Sequence, residues 1–164
     1  MATRREILQW SFGLSFGFAA DLPLVLAQTA GRDIIAVVVA KTSPIQQLSL
    51  FELKKLYLGA NINDPTGERI IPFNQAPNAA DRVAFEDRVL DMTPDQVARF
   101  WIDRKIRGEG SAPRAVGSAE LLQRVVSKME HSVAYVRIGS LRPEVRAIAI
   151  DGAIPGDSSY RLFA

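Results

Sequence analysis

The chain has 164 residues, of which 48% are hydrophobic and 23% are charged, and this composition is typical of a single soluble globular domain. Its formal net charge of +2 comes without long blocks of lysine and arginine, so the sequence does not indicate a nucleic-acid-binding tail. The lack of cysteine excludes disulfides, thiolate metal sites and cysteine nucleophiles.

The N-terminus has the pattern of an export signal. The run TRREIL resembles the twin-arginine signal, an apolar stretch follows at 10–20, and VLAQ at 25–28 offers small residues at the positions that a signal peptidase reads. Asp21 and Pro23 interrupt the apolar stretch well before the roughly 20 residues that a membrane-spanning helix needs. We therefore expect export to the periplasm and no permanent membrane span, with an uncleaved membrane tether as the alternative.

Cleavage is expected near Ala27, so the sequence divides into an export signal at 1–27 and one domain at 28–164. The remaining 164 − 27 = 137 residues are enough to bury roughly two thirds of the surface of the unfolded chain. We see no internal repeat and no linker that would divide this domain further.

The first half of the domain predicts two strands and one helix. The β-branched run at 34–40 is typical of a strand that is covered on both faces. Ser49 and Glu52 form a capping box for a helix that ends at Gly59. The tetrapeptide DPTG at 64–67 favours a type I turn, and a second strand follows at 69–73.

The second half predicts three helices and then two strands. The helices are expected from Asn78 to about Leu90, from the Thr93 cap to Gly108, and from the Ser118 cap to Lys128, and the strands at 133–137 and 145–150. This order predicts the α/β class, with one covered mixed sheet and flanking helices.

Taken in order, several motifs resemble one lobe of the type 2 periplasmic substrate-binding proteins, and most closely their phosphate-binding branch. They are LSLFELKKLYLG, the turn ending in Gly67, RIIPFNQAPNAADRVAFEDRVL, RGEGSAP, SAELLQRVV and SVAYV. The resemblance covers roughly 34–136 and implies a periplasmic α/β domain with a history in solute capture for a membrane transporter. Proteins of this family close two lobes on a solute and are generally about twice as long as this domain, so the resemblance implies a single lobe.

The resemblance also implies where an anion would bind, at the start of the helix that follows the second strand. Phosphate-binding members carry Arg, Ser, Gly and Thr at four positions that correspond here to Gln75, Ala79, Ala80 and Asp81. A helix start presents free backbone N–H groups to an anion. We expect Asn78 and Asp81 to satisfy those groups from within, and we predict that phosphate is not held tightly.

Other side chains give weak indications of chemistry. His131 is the only histidine and is expected to be structural or solvated, and Glu86 with Asp87 is expected to form part of a solvated helix face. Five basic residues near the loop at 108–113 are also expected to be solvated, with an acidic partner or an anion as the alternative: Arg99, Arg104, Lys105, Arg107 and Arg114. The sequence thus predicts no enzyme activity, no cofactor and no metal site.

Two functional classes remain open. The first is a periplasmic binding protein of the phosphate-transporter type, reduced to one lobe, that binds a small anion or another small solute weakly or pairs with a second copy or a transporter subunit. The second is a non-transport module that uses the same lobe to bind another envelope protein. Neither class involves nucleic acid.

Overall fold

A computed structural model describes residues 34–163. The predicted export signal at 1–27 and its cleavage near Ala27 lie outside the described residues. The elements in chain order are β1 (Ile35–Ala40), β2 (Gln47–Leu48), α1 (Leu50–Tyr57), β3 (Ile71–Gln75), α2 (Ala80–Phe85), a π-helix (Glu86–Leu90), α3 (Pro94–Ile106), β4 (Arg114–Val116), α4 (Ala119–Val126), β5 (Ser132–Arg137), a 3-10 turn (Ile138–Ser140), β6 (Val145–Ala147) and β7 (Ala149–Ile150).

Five strands form one mixed sheet in the order β4-β3-β5-β1-β6. β3 pairs in parallel with β4 and with β5, whereas β1 is antiparallel to both β5 and β6. The short strands β2 and β7 form a separate parallel pair. The predicted α/β class, with one covered mixed sheet and flanking helices, is confirmed.

Helices cover both faces of this sheet, and this explains why the sequence of β1 is apolar throughout. Every residue of β1 is buried. Ile35, Val37 and Val39 join the core cluster that contains residues of α1, the π-helix and α3. Ala36 and Val38 face the other way and join the cluster around α4. Because successive side chains of a strand point to opposite faces, a strand covered on both sides needs apolar residues at every position.

The helix starts follow the predicted capping chemistry. Ser49 accepts a hydrogen bond from the backbone N–H of Glu52 at 3.1 Å, and the Glu52 carboxylate accepts from the Ser49 N–H at 2.8 Å. Thr93 and Gln96 make the same reciprocal pair at the start of α3, with Pro94 as its first residue. Gly59 follows α1 with a φ of +91°, a conformation that favours glycine.

Three details of the predicted secondary structure are wrong. The helix expected from Asn78 to Leu90 is a six-residue α-helix that begins at Ala80 and continues as a π-helix. The strand expected at 145–150 is two short strands: Val145–Ala147 pairs with β1, and Ala149–Ile150 pairs with β2. The short strands β2 and β4 were not predicted. Among residues 34–163, no helix is long and apolar enough to cross a membrane.

Candidate functional site at the start of helix α2

The candidate site lies at the edge of the sheet where the parallel strands β3 and β5 end. β3 ends at Gln75 and β5 ends at Arg137, and α2 begins just after the loop that follows β3. In open α/β sheets, this carboxyl edge is where ligands commonly bind. The structure therefore places Gln75, Asn78, Ala79, Ala80 and Asp81 in one turn-and-helix segment, as the sequence predicted, and adds Arg137 from the neighbouring strand.

An internal ion pair dominates this site. The Asp81 carboxylate accepts hydrogen bonds from the Arg137 backbone N–H at 3.1 Å and from Arg137 Nε at 3.0 Å, and Arg137 Nη2 lies 3.0 Å from the same carboxylate. The Asp81 side chain is 15% exposed and that of Arg137 is 33% exposed. A carboxylate bound by both guanidinium and backbone donors is a strong, charge-assisted arrangement. The charge of Arg137 beside the start of α2 is thus already balanced by Asp81.

The expected capping of α2 by Asn78 and Asp81 is wrong. The N-cap residue is Ala79, and no side chain accepts a hydrogen bond from the first amides of the helix. Asn78 is exposed in the preceding loop, and the Asp81 carboxylate contacts Arg137 rather than the helix amides. The reason is that a guanidinium and an amide of the adjacent strand together offer a carboxylate stronger bonds than a helix N–H alone.

Gln75, which the resemblance aligns with an arginine of phosphate-binding members, is buried, and its amide nitrogen is hydrogen-bonded. Its Nε2 donates to Tyr135 O at 3.1 Å and lies 3.4 Å from Asp81 Oδ2. Its backbone oxygen accepts from Arg82 Nη1 at 3.0 Å. Gln75 therefore connects β3 to β5 through its amide nitrogen and to α2 through its backbone oxygen.

A second ion pair, between Arg82 and Glu86, joins α2 to the start of the π-helix. Arg82 Nε lies 2.6 Å from Glu86 Oε1, and the Glu86 side chain is only 2% exposed. The expectation that Glu86 belongs to a solvated face is therefore wrong, whereas Asp87 is exposed as expected. The π-helix begins at Glu86, and its wider turn places Glu86, Val89 and Leu90 toward the core together.

Three aromatic rings, those of Tyr57, Phe85 and Tyr135, pack together at the end of α2. Phe85 stacks on Tyr135 with ring centroids 3.8 Å apart, and the Tyr57 ring lies 4.7 Å from that of Phe85. The Tyr135 hydroxyl donates to Asn74 Oδ1 at 2.6 Å. Burial raises the pKa of Tyr135 well above its ordinary value, so this hydroxyl serves as a hydrogen-bond donor and not as a base.

His131 lies away from this site, before the start of β5. Its Nδ1 is 2.5 Å from Asp64 Oδ2, while Asp64 Oδ1 accepts from the Thr66 hydroxyl at 2.6 Å and from the Glu68 N–H at 3.1 Å. These contacts close the 64–67 turn onto the sheet, which is a structural role. Within residues 34–163, no group of three or more histidine or acidic side chains is placed to hold a metal ion.

The predicted group of basic residues does not act as one patch. Arg104 donates to Leu58 O at 2.8 Å and to Glu109 O at 2.9 Å, and Arg107 pairs with both Asp103 and Glu109. These contacts neutralise much of the charge at the end of α3.

The comparisons with known proteins depend on structure alone, because no protein-family model matches the chain and the search of curated proteins found no match. An ABC-type phosphate transport receptor from Vibrio cholerae superimposes with a TM-score of 0.64 at 20% identity, over 80% of this chain and 54% of that chain. PstS from Borrelia burgdorferi gives a TM-score of 0.62 at 12% identity, over 80% of this chain and 55% of that chain.

This chain has the fold of one lobe of a phosphate-binding protein. A putative phosphate ABC transporter substrate-binding protein with bound phosphate from Clostridium perfringens agrees, with a TM-score of 0.60 at 18% identity over 74% of this chain and 46% of that chain. The chain spans about half the length of the solved structures that it matches. The resemblance to a single lobe of this fold is confirmed.

Sequence reasoning located the segment but missed its main partner. Arg137 was noted only as the end of a strand, although an arginine that ends a buried strand beside a predicted ligand loop is a signal that could have been followed. The pairing itself joins residues 56 positions apart, so no local pattern indicates it.

Proposed function

We propose that this chain is an exported binding-protein-like domain of the cell envelope that has lost tight phosphate binding at the start of α2. The fold supports the first part, because the matched structures include a phosphate transport receptor and a phosphate ABC transporter substrate-binding protein. The Asp81–Arg137 ion pair supports the second part, because it lies at the start of α2, where the resemblance to phosphate-binding proteins implies that an anion would bind.

The energies favour exclusion of phosphate. The Asp81 carboxylate is paired with Arg137 at 3.0 Å, so the pair has no net charge with which to attract a phosphate. The free amides of α2 attract an anion by only about 0.3 to 1 kcal/mol at an exposed site, and this helix has six residues before it becomes a π-helix. The side-chain donors around this segment are already bound: Arg137 to Asp81, Gln75 to Tyr135 O, and Arg82 to Glu86 and Gln75 O. The attraction of the helix end alone is therefore too small for tight phosphate binding.

Calorimetry with the matched variant tests this proposal. Phosphate at millimolar concentration should give no binding heat with the unmodified protein. The combination Gln75→Arg, Ala79→Ser, Ala80→Gly and Asp81→Thr should bind phosphate at least partially, because it restores the donors and removes the opposing carboxylate. Micromolar phosphate binding by the unmodified protein would contradict the proposal and support an ordinary phosphate receptor.

The alternative function, contact with another envelope protein, is favoured by a different surface. Ile102 and Ile106 on α3 are 60% and 79% exposed, and Phe100 and Met92 lie beside them. Exposed apolar residues grouped on one helix are typical of a protein-contact surface.

A thermal-shift screen separates the two functions. A small solute that binds the folded protein raises its melting temperature, because it stabilises the folded state by RT ln(1 + [L]/Kd). A shift with any member of a broad oxyanion and metabolite set supports solute capture. A screen without any shift, together with loss of self-association or partner capture in Ile102→Asp/Ile106→Asp, supports the protein-contact function.

The export route is tested separately. Expressed with its own N-terminus in a host with an intact twin-arginine system, the protein should be recovered from the periplasm, shortened near Ala27. Arg4→Lys/Arg5→Lys should remain in the cytoplasm. Equal export of this variant and the parent would contradict the twin-arginine route and favour an ordinary secretory signal.

A further inference from the structure

A second cleft opens at the opposite edge of the sheet from Asp81, where the parallel strands β3 and β4 begin. It has a volume of ≈ 390 Å³, within the range of about 300 to 1,000 Å³ that is usual for small-molecule sites. Its apolar walls include Leu56 from α1, Ile71 and Phe73 from β3, and Trp101 from α3. These walls therefore come from two helices and one strand, whose positions are fixed by packing in the core.

Two arginines give this cleft a positive charge. Arg69 and Arg114 are the only charged residues of its lining, and no carboxylate accompanies them. Within residues 34–163, neither guanidinium takes part in a hydrogen bond or an ion pair, unlike those of Arg82, Arg104 and Arg107. Exposed arginines without an acidic partner keep their donors available for a ligand.

The nearby helix end does not cancel this charge. The carboxyl end of α1 borders the cleft at Gly59, and a helix carboxyl end is weakly negative. However, Arg104 donates to Leu58 O at 2.8 Å and so satisfies one of the free carbonyls there. The local field at the cleft is then set by Arg69 and Arg114.

Trp101 supplies a rigid flat wall. The indole is mostly buried, and Gly59 approaches it so closely that a Cβ atom at residue 59 would lie 2.9 Å from Trp101 Cη2. The Arg104 guanidinium also lies 5.7 Å from the centre of the indole ring. With its ring held in this way, Trp101 is suited to contact a planar apolar group.

We propose that this cleft binds a small organic anion with a flat apolar body, such as an aromatic carboxylate or sulfonate. The anionic group binds Arg69 and Arg114, and the ring packs against Trp101 and the apolar residues of β3 and α1. A guanidinium matches the planar geometry of a carboxylate or sulfonate through paired N–H donors. An inorganic anion would leave the apolar walls of the cleft exposed to water, so the ligand should carry an apolar body as well as an anionic group. This site is independent of the proposed loss of phosphate binding at α2.

The fluorescent probe 8-anilino-1-naphthalenesulfonate tests the proposal, because it is an aromatic sulfonate. The chain has two tryptophans, Trp10 in the predicted export signal and Trp101 in the cleft. The domain at 28–164 should therefore show saturable energy transfer from Trp101 to the bound probe. Arg69→Gln/Arg114→Gln should weaken the affinity by about tenfold or more, as expected for the loss of charge-assisted hydrogen bonds.

A matched control separates this cleft from the apolar surface of α3. Arg99 is an arginine of that surface that makes no ion pair or hydrogen bond with residues 34–163, so Arg99→Gln removes one positive charge, as each single variant Arg69→Gln or Arg114→Gln does, and should leave the affinity unchanged. The neutral analogue N-phenyl-1-naphthylamine should bind about tenfold more weakly than the sulfonate. Arg69→Lys/Arg114→Lys keeps the charge without the planar fork and should give an intermediate affinity, provided that circular dichroism shows the parent fold.

Three results would overturn the proposal. The first is equal affinity of the parent and the folded Arg69→Gln/Arg114→Gln variant. The second is loss of binding in Arg99→Gln, which would place the probe on α3. The third is equal binding of the neutral analogue, which would show that apolar contact alone holds the probe. If the double variant does not fold, the single variants Arg69→Gln and Arg114→Gln decide, and each should weaken binding by about threefold or more.

Discussion

Removing the Asp81 carboxylate should destabilise the domain and at the same time remove a negative charge from the start of α2. In Asp81→Ala, the backbone N–H and the guanidinium of Arg137 lose an acceptor that now binds three of their nitrogen atoms at 3.0 to 3.1 Å. Hydrogen bonds to charged groups contribute about 1.5 to 3 kcal/mol each. Because the Arg137 side chain is 33% exposed, water replaces part of this loss, and we expect a fall of about 2 kcal/mol in the free energy of unfolding.

Urea denaturation measures this change. With a slope of about 1.5 kcal/mol per molar urea for a domain of this size, the midpoint should fall by about 1.3 M. Asp87→Ala is the matched control, because it removes a carboxylate that is 71% exposed and whose ion pair with Arg88 Nε is long, at 3.7 Å. That exposed pair should contribute less than about 1 kcal/mol.

Phosphate provides the second measurement. If phosphate binds at the start of α2 in Asp81→Ala with a dissociation constant of about 1 mM, 10 mM phosphate should restore about 1.4 kcal/mol of stability, because the carboxylate that repels it is gone. The parent should gain nothing beyond the effect of a matched concentration of chloride. The reasoning is refuted if Asp81→Ala is as stable as the parent, or if phosphate stabilises both proteins equally.

The Asp64–His131 contact predicts greatest stability between about pH 4 and pH 6.5. The hydrogen bond to Asp64 raises the pKa of His131 above 6.5, so its stabilisation is complete below that value and is lost as the pH rises through the raised pKa. Burial opposes ionisation of Asp64, but hydrogen bonds from Thr66 and His131 outweigh it and lower its pKa from 3.8 to about 2, so its stabilisation is lost as the pH falls toward that value. His131→Gln should remove the loss on the alkaline side in pH-dependent denaturation, and an unchanged profile would contradict this interpretation. Gly59→Ala should cost about 2 to 3 kcal/mol and alter tryptophan fluorescence, because it combines a φ of +91° with a Cβ at 2.9 Å from the Trp101 ring. Gly67→Ala, with a φ of +89° and open space around it, should cost only about 1 kcal/mol, and equal losses would show that the ring contact is unimportant.

The features that the sequence predicted well are those whose causes are local. The capping pair of Ser49 and Glu52 is separated by three residues, and the turn that ends at Gly67 is closed by Asp64 within the same tetrapeptide. Such patterns bring donor and acceptor together whatever the rest of the chain does. The helix starts and most strands were therefore found within a few residues.

The features that were missed depend on distant partners. β4 has three residues and two of them are exposed, so its sequence lacks the periodicity of a strand, and only pairing with β3 makes it one. In the same way, Asp81 reads as a helix-capping residue until β5 brings Arg137 beside it. The sequence thus predicted the strand–loop–helix segment that holds the candidate site, but not the ion pair within it.

The central position of β1 determines when during synthesis the fold can be completed. β1 is the first strand of the sheet, yet its partners are β5 and β6, and Val37 pairs with Tyr135, which is 135 − 37 = 98 positions later. Loop closure over such a distance is slow compared with local helix formation. The ribosome therefore has to produce residue 147 before both edges of β1 can be paired. Until then, the most apolar segment of the domain stays without its neighbours, and a chaperone that holds the nascent chain would find its binding site there.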